Sequence, residues 1–220
     1  MFRTGVVVKQ VKHVAALMAL LVVALTGCGG DRPGDRVAEP ALRQQAETDL
    51  LEGLEIADFK RANGQVDPDS ANRYRITYSY RLQLTRPYAE VILAAAENLH
   101  AELAGSARKA QSSAFDLSGL EDTLTHWQLS LAANEWVNNQ ADAFVARRDR
   151  LVGGCESCLE FWNSADAPEQ AELRRMAFII AWRHMESLAF SDEAKVGDGV
   201  ERYVWRTFEK TEKGWMPSAL

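Results

Sequence analysis

Hydrophobic and polar residues alternate without a break over residues 73–85. Even-numbered positions are aromatic or aliphatic there, and odd-numbered positions are polar or charged. Because successive side chains of a strand point to opposite faces, the pattern predicts a β-strand with one buried face. The segment "LEIADFKRA" (54–62) precedes it, across a stretch rich in turn formers (63–72). The two runs predict a hairpin with a long loop.

A helical period of about 3.6 residues replaces this alternation from Tyr88 onward. A capping-box pattern at Ser118 predicts the start of a second long helix, and Asp166-Ala-Pro-Glu169 predicts the start of the last one. The centre of that last helix, "MAFIIAW" (176–182), is apolar on all sides, which places it in the core. A short helix is also predicted at 41–53, ahead of the strands.

The segment 200–217 is rich in aromatic and β-branched residues and predicts a strand with a short return, turning at Lys213-Gly214. Strands followed by helices and then strands predict an α+β fold. We expect an antiparallel sheet of three to four strands, with a helical insertion that includes three longer helices packed on one face. This outline is loosely similar to cystatin-like or NTF2-like periplasmic domains, and no motif is specific to either family.

The first 27 residues have the charge and length of a secretory signal. Three basic residues precede twelve consecutive apolar ones, Val14 to Leu25. That apolar run is shorter than the roughly 20 residues that a bilayer requires. The sequence therefore predicts a signal peptide over residues 1–27.

Leu25-Thr26-Gly27-Cys28 resembles the lipobox of bacterial lipoproteins. The resemblance covers residues 1–28 and implies cleavage before Cys28, followed by acylation with palmitate-type chains. Several acyl chains together would anchor the protein stably to a membrane. Gly29, in place of Asp, implies the outer membrane of a Gram-negative cell, with the protein facing the periplasm. The alternative is an ordinary signal peptide followed by a chance cysteine.

Processing at Cys28 would leave 193 residues, with 22 Lys and Arg against 31 Asp and Glu and a net charge of −9. An acidic chain without a basic patch is a poor candidate for nucleic-acid binding. Residues 28–40 are rich in Gly, Pro and charge, and we expect a lipidated cysteine followed by a flexible tether. Residues 41–220 would then form a single periplasmic domain.

Two cysteines lie three positions apart in "GGCESCLEFW" (153–162). Exported thiols form persistent disulfides, and acylation of Cys28 would leave Cys155 and Cys158 no other intramolecular partner. We predict a disulfide that acts as a structural staple. Thiol–disulfide exchange and metal binding stay open as alternatives. The motif follows a helical pattern instead of a strand, and Glu156 would raise the thiol pKa, which disfavours exchange.

No motif for a catalytic site, a metal or a cofactor is present, so no catalytic residue, metal ligand or cofactor is predicted. Glu97-Asn-Leu-His100 is a single Glu-x-x-His on a helix, whereas di-iron bundles use two such motifs. We expect Glu97 and His100 at the helix surface, and His184 in or near the core.

The apolar face of residues 73–85, together with the region around Trp205 and Trp215, could line a ligand pocket or could simply be core. The arginines of the opposite face could bind an acidic partner or could be solvated. The possible pocket residues are Tyr74, Ile76, Tyr78, Tyr80 and Trp205, and the arginines are Arg73, Arg75 and Arg81.

These features predict a membrane-anchored envelope lipoprotein that acts as a non-catalytic interaction or assembly module with an envelope protein partner. One alternative is a lipoprotein that binds a small apolar or amphiphilic ligand between the sheet and the helices. A thiol–disulfide exchange protein that uses Cys155 and Cys158 is another.

Overall fold

The computed structural model describes residues 31–48, 50–112, 118–164 and 167–218, with the backbone alone at 106–112 and 118–127. This part of the chain forms six helices and a four-stranded sheet, which is an α+β fold as the sequence predicts. The elements in chain order are α1 (Asp35–Glu47), β1 (Leu54–Asp67), β2 (Ser70–Leu84), α2 (Tyr88–Ser112), α3 (Ser118–Gln140), α4 (Ala143–Gly153), α5 (Glu156–Trp162), α6 (Pro168–Ser187), β3 (Gly199–Thr211) and β4 (Gly214–Pro217).

The strands follow the order β1-β2-β3-β4, and every neighbouring pair is antiparallel. The β2–β3 ladder runs without a register shift from Arg73 opposite Glu209 to Gln83 opposite Gly199. Even-numbered residues of β2 therefore lie opposite even-numbered residues of β3 and share one face of the sheet. We call this the inner face, and the face of the odd-numbered residues the outer face.

The β1–β2 hairpin is tight, and the prediction of a long loop over 63–72 is wrong. β1 continues to Asp67 and β2 begins at Ser70, so Pro68 and Asp69 alone make the turn. The carboxylate of Asp67 accepts a hydrogen bond from the Asp69 amide at 3.0 Å. Residues with turn propensity, such as Asn63 and Gly64, belong to a strand because pairing with β2 outweighs local preference.

One end of the inner face carries the helical bundle. Leu54, Leu82 and Leu84 from the sheet join a core built from α2, α4, α5 and α6, in which Trp182 and Met185 are fully buried. The segment 176–182 is buried or half-buried throughout, as its uniform apolar character predicts. The helical insertion thus packs on one face of the sheet.

The other end of the inner face carries α1. Ala38 and Leu42 are fully buried against Ile76, Tyr78 and Phe208. This helix begins at Asp35 and contains Pro40, so the prediction of a helix at 41–53 is wrong in both boundaries. The prediction of a flexible tether through residue 40 is also wrong, because Pro33 is already buried and burial fixes the chain from that point.

Asp35 joins the first turn of α1 to the sheet. Its carboxylate accepts hydrogen bonds from the Tyr78 hydroxyl at 2.7 Å and from the Arg61 guanidinium at 3.0 Å. The bond from Tyr78, followed by the one from Arg61, lowers the pKa of Asp35, while burial and the bond to Asp35 raise the pKa of Tyr78. A negative charge in the first turn also interacts favourably with the helix dipole.

Candidate functional site: the outer face of the sheet

The tyrosines proposed as pocket residues belong to the packed core. Tyr74, Ile76 and Tyr78 are buried under α1, and Tyr80 is half-buried between the two clusters of the inner face. Trp205 does not join them: it lies on the outer face with 54% of its surface exposed. Placing Trp205 in the same pocket was wrong, because the register puts it opposite the odd-numbered residue Thr77.

The outer face carries large hydrophobic side chains that are exposed to solvent. Tyr203 is 62% exposed, Trp205 54% and Met216 45%. The helices that contact the sheet in the described part of the chain do so through inner-face residues. The outer-face residues of β2 opposite Trp205 and Tyr203 are Thr77 and Ser79, which have small side chains.

Arginine side chains lie on the same face of the sheet as these rings. The guanidinium of Arg75 lies over the Trp205 ring, 4.6 Å from its centroid, which is a cation–π contact. Arg73 forms an ion pair with Glu209 at 2.7 Å across the β2–β3 ladder. We name Tyr203, Trp205, Met216 and Arg75 the aromatic patch. Trp, Tyr and Arg are the residue types that contribute most often to binding hot spots.

Glu201 interacts with Tyr203 within the same strand. The carboxylate of Glu201 accepts a hydrogen bond from the tyrosine hydroxyl and thereby raises the pKa of Tyr203. Arg81 lies opposite Glu201 in the ladder and donates to the Gln83 side chain at 2.8 Å. The aromatic patch is therefore flanked by both signs of charge, a composition suited to a polar rim.

Cys155 and Cys158 form a disulfide in the structure. Cys155 caps the N-terminus of α5, and Cys158 is fully buried with its sulfur 3.4 Å from the Ala89 carbonyl oxygen of α2. The motif follows α4, not a strand. The disulfide therefore fixes the α4–α5 turn against α2, in a position where little of either sulfur meets solvent.

Comparison with protein families, with curated proteins and with solved structures found no match for this chain.

The histidines do not form a site in the described part of the chain. Glu97 is exposed, whereas His100 is half-buried with its ring edge-on to Phe161. His184 is exposed, so its expected place in or near the core was wrong. It lies one position beyond Arg183 on the solvent side of α6, while Trp182 and Met185 take the core side. No group of three or more His, Cys, Asp or Glu side chains able to hold a metal occurs among the described residues.

No described helix is both long enough and apolar enough to cross a bilayer. Cys28 and the segment that resembles a lipobox lie outside the described residues.

The helical bundle contains a half-buried polar cluster that the sequence pattern did not predict. Arg147 of α4 donates to both carboxylate oxygens of Asp192, at 2.7 and 2.9 Å, and also to Glu186 and Gln140. Its guanidinium lies 4.9 Å from the ring centroid of Trp182, whose indole donates to Asp192 at 2.9 Å. These bonds, first among them the one to Asp192, raise the pKa of Arg147. The cluster joins three helices to the segment before β3.

An open cleft of about 1010 Å³ lies beside the start of α1. Its lining includes Arg32, Asp35, Arg61, Asn63 and Tyr74. Arg61 and Asp35 already bind each other, so the cleft is polar and one pair of its charges is engaged.

Proposed function

We propose that this chain is a lipid-anchored protein of the cell envelope, and that it acts as a non-catalytic module which binds an envelope protein through the aromatic patch. The observation that carries the proposal is the exposure of Tyr203 and Trp205 on a sheet face without a covering helix in the described chain. Large contiguous exposed hydrophobic surfaces commonly mark interaction sites.

The lipid anchor rests on the resemblance of Leu25-Thr26-Gly27-Cys28 to a lipobox. The buried position of Pro33 adds a constraint on where an anchored domain would sit. Five residue steps separate Cys28 from Pro33, and a fully extended chain covers about 17 Å over that distance. An acylated Cys28 would therefore hold the start of α1 close to the bilayer surface.

Two alternatives have less structural support. The inner-face residues Tyr74, Ile76 and Tyr78 fill a core under α1, which leaves the polar cleft beside α1 as the candidate place for a small ligand. Thiol–disulfide exchange requires access of another thiol to a sulfur, and Cys158 is fully buried while Cys155 is 9% exposed.

Affinity capture of the full-length chain from the envelope of its own cells tests the proposal. A Tyr203→Ser/Trp205→Ser variant removes both aromatic rings of the patch without changing an inner-face residue. A Val145→Ser/Leu159→Ser variant removes two similarly exposed hydrophobic side chains on α4 and α5 and serves as the matched control. We expect a protein that is recovered by the wild type and by the control but is lost with the patch variant. Identical recovery by all three would show that the patch does not bind a partner.

A further inference from the structure

The polar cleft beside the start of α1 borders the N-terminus of that helix. Gly34 and Asp35 both line the cleft, and Gly34 is the N-cap residue, so no side chain caps the first turn. The first amides of a helix have no acceptor within the helix, which leaves those of Asp35 and Arg36 available to a ligand. A helix N-terminus also carries a partial positive charge, which favours an anion.

The hydroxyl of Tyr74 is a second, independent donor of the cleft. Tyr74 lines the cleft although only 8% of its surface is exposed. Its ring packs edge-on against Trp215, and its hydroxyl has no hydrogen-bond partner among the described residues. Because polar groups of buried side chains are normally hydrogen-bonded, a partner for this hydroxyl has to come from the cleft.

The guanidinium of Arg61 lies beside that hydroxyl. Its Nη1 atom donates to the Pro33 carbonyl at 3.2 Å and to Asp35 at 3.0 Å, so Nη2 remains to donate to another group. A Cβ atom at Gly64 would lie 2.8 Å from Nη2 and 3.0 Å from the Tyr74 oxygen. The absence of a side chain at Gly64 therefore leaves room for both donors at one place in the cleft.

We propose that this cleft binds the phosphate group of a phosphoethanolamine lipid headgroup. Three kinds of donor would meet the phosphate oxygens: the Tyr74 hydroxyl, the guanidinium groups of Arg61 and Arg32, and the first amides of α1. Hydrogen bonds to an oxyanion are stronger than those between neutral groups, and a guanidinium matches the geometry of phosphate. The cleft volume of about 1010 Å³ leaves room for the ester substituents of the headgroup.

The charges of the cleft suit a zwitterion. Two arginines and two aspartates line it, Arg32 and Arg61 with Asp31 and Asp35, so its formal charge is zero. The carboxylate of Asp35 is already engaged by Arg61 and Tyr78, and Asp31 is exposed. Asp31 is thus available to the ammonium group of the headgroup, while the donors described above take the phosphate.

The choice of a membrane lipid as the source of the phosphate rests on the proposed lipid anchor. An acylated Cys28 would hold Pro33 within about 17 Å of the bilayer surface. Phospholipid headgroups would then be the phosphate esters present at the highest concentration beside the cleft. The preference of the cleft for a phosphate ester does not depend on the anchor.

A water-soluble headgroup tests the cleft without a membrane. Calorimetric titration of the purified full-length chain, in a detergent without phosphate, should show binding of glycerophosphoethanolamine. Tyr74→Phe should bind it about tenfold more weakly, because a hydrogen bond to a charged oxygen is lost. Tyr80→Phe is the matched control, since it removes a hydroxyl from the same strand and face outside the cleft lining.

A pair of arginine variants tests the same site through charge. Arg32→Gln should weaken binding by about tenfold, because it removes a guanidinium from the cleft. Arg36→Gln removes the same charge from the first turn of α1, outside the cleft lining, and should change the affinity by about twofold or less, since salt screens a distant charge. Both side chains are exposed, so both variants should keep the circular dichroism of the wild type.

Vesicles distinguish a membrane lipid from a free phosphate ester. Amide hydrogen exchange over residues 31–38 of the full-length chain should be slower in vesicles of phosphatidylethanolamine and phosphatidylcholine than in vesicles of digalactosyl diacylglycerol, which has no phosphate. The difference should persist in Tyr80→Phe and disappear in Tyr74→Phe. Equal exchange in the two kinds of vesicle, with binding of the soluble headgroup intact, would assign the cleft to a free phosphate ester and overturn the lipid.

Equal affinity of the wild type and Tyr74→Phe for the soluble headgroup would overturn the proposal. Competition by acetate as strong as that by inorganic phosphate would also overturn it, since the cleft would then bind carboxylates. Absence of acyl mass on Cys28 would contradict the proposed anchor and, with it, the choice of a membrane lipid. The titration with the soluble headgroup would still decide whether the cleft binds a phosphate ester.

Discussion

Ile76 and Thr77 are neighbours in β2 and make entirely different contacts. Ile76 is fully buried under α1, whereas Thr77 lies on the outer face between Asn63 and Trp205. Leu82 and Gln83 differ in the same way at the other end of the strand: Leu82 belongs to the bundle core, and Gln83 accepts a hydrogen bond from Arg81. The period of two residues makes this difference visible in the sequence.

A charge at Ile76 should therefore be far more harmful than one at Thr77. We expect Ile76→Asp to lower the free energy of unfolding by about 4 kcal/mol, because it buries an unpaired carboxylate and leaves a gap in the packing. Thr77→Asp should change it by about 0.5 kcal/mol or less. Urea unfolding measures both, and similar losses for the two variants would contradict the assigned faces.

Asp35 should make stability depend on pH in the acidic range. Its folded pKa lies below the ordinary value of 3.8, so its contribution is present above that value and is lost as the pH falls through the folded pKa. Asp35→Asn should thus be less stable than the wild type at neutral pH, and the difference should shrink in acid. Thermal melts across that range measure it, with Tyr78→Phe as a variant that weakens the same effect. A difference that stays constant with pH would contradict the assignment.

At the scale of elements, the bundle depends on polar contacts as well as on its apolar core. Arg147→Ala should cost about 2 kcal/mol of folding free energy, because it leaves Glu186 and Asp192 half-buried without their cation. Arg148→Ala on the same helix is the control: Arg148 pairs with the exposed Asp149, and surface pairs contribute about 0–1 kcal/mol. Guanidinium unfolding of both variants measures the difference. Equal losses would mean that the Arg147 cluster stabilises nothing beyond a surface pair.

The disulfide should act on stability alone. A closed loop of four residues stabilises a fold by about 2 kcal/mol in the chain-entropy treatment. Reduction of the wild-type protein should lower its unfolding free energy by that amount, and the protein should not turn over in an insulin-reduction assay. Rapid turnover would instead support thiol–disulfide exchange by Cys155 and Cys158.

At the scale of the whole molecule, attachment of the domain to a membrane would depend on acylation of Cys28. We expect Cys28→Ser to lose the mass of the acyl chains and to move from the membrane fraction to the soluble fraction, because acylation is the anchor proposed. Mass spectrometry and fractionation of bacteria that express each form measure this. A variant that partitions wholly with membranes, with unchanged mass and processing, would contradict the lipid anchor.

The sequence alone determines the α+β class and the buried face of β2, because both follow from periodicities of about 3.6 and 2 residues along a continuous segment. It also indicates the disulfide, since Cys155 and Cys158 lie three positions apart. These features are local: each is carried by residues close together in the chain.

Tertiary structure alone decides the faces of β3 and the role of α1. Both faces of β3 mix polar and apolar residues, with Arg202 and Arg206 beside Val204 on one and Glu201 beside Trp205 on the other. Pairing with β2, more than 100 residues earlier in the chain, selects the face that is buried, and so leaves Trp205 exposed. Pro40 and the charged residues around it do not form a pattern that predicts α1 from the sequence. Ala38 and Leu42 are nevertheless buried, because they pack against the apolar inner face of the sheet. The location of the candidate site therefore depends on contacts between segments that are distant in the chain, and no local sequence pattern records such contacts.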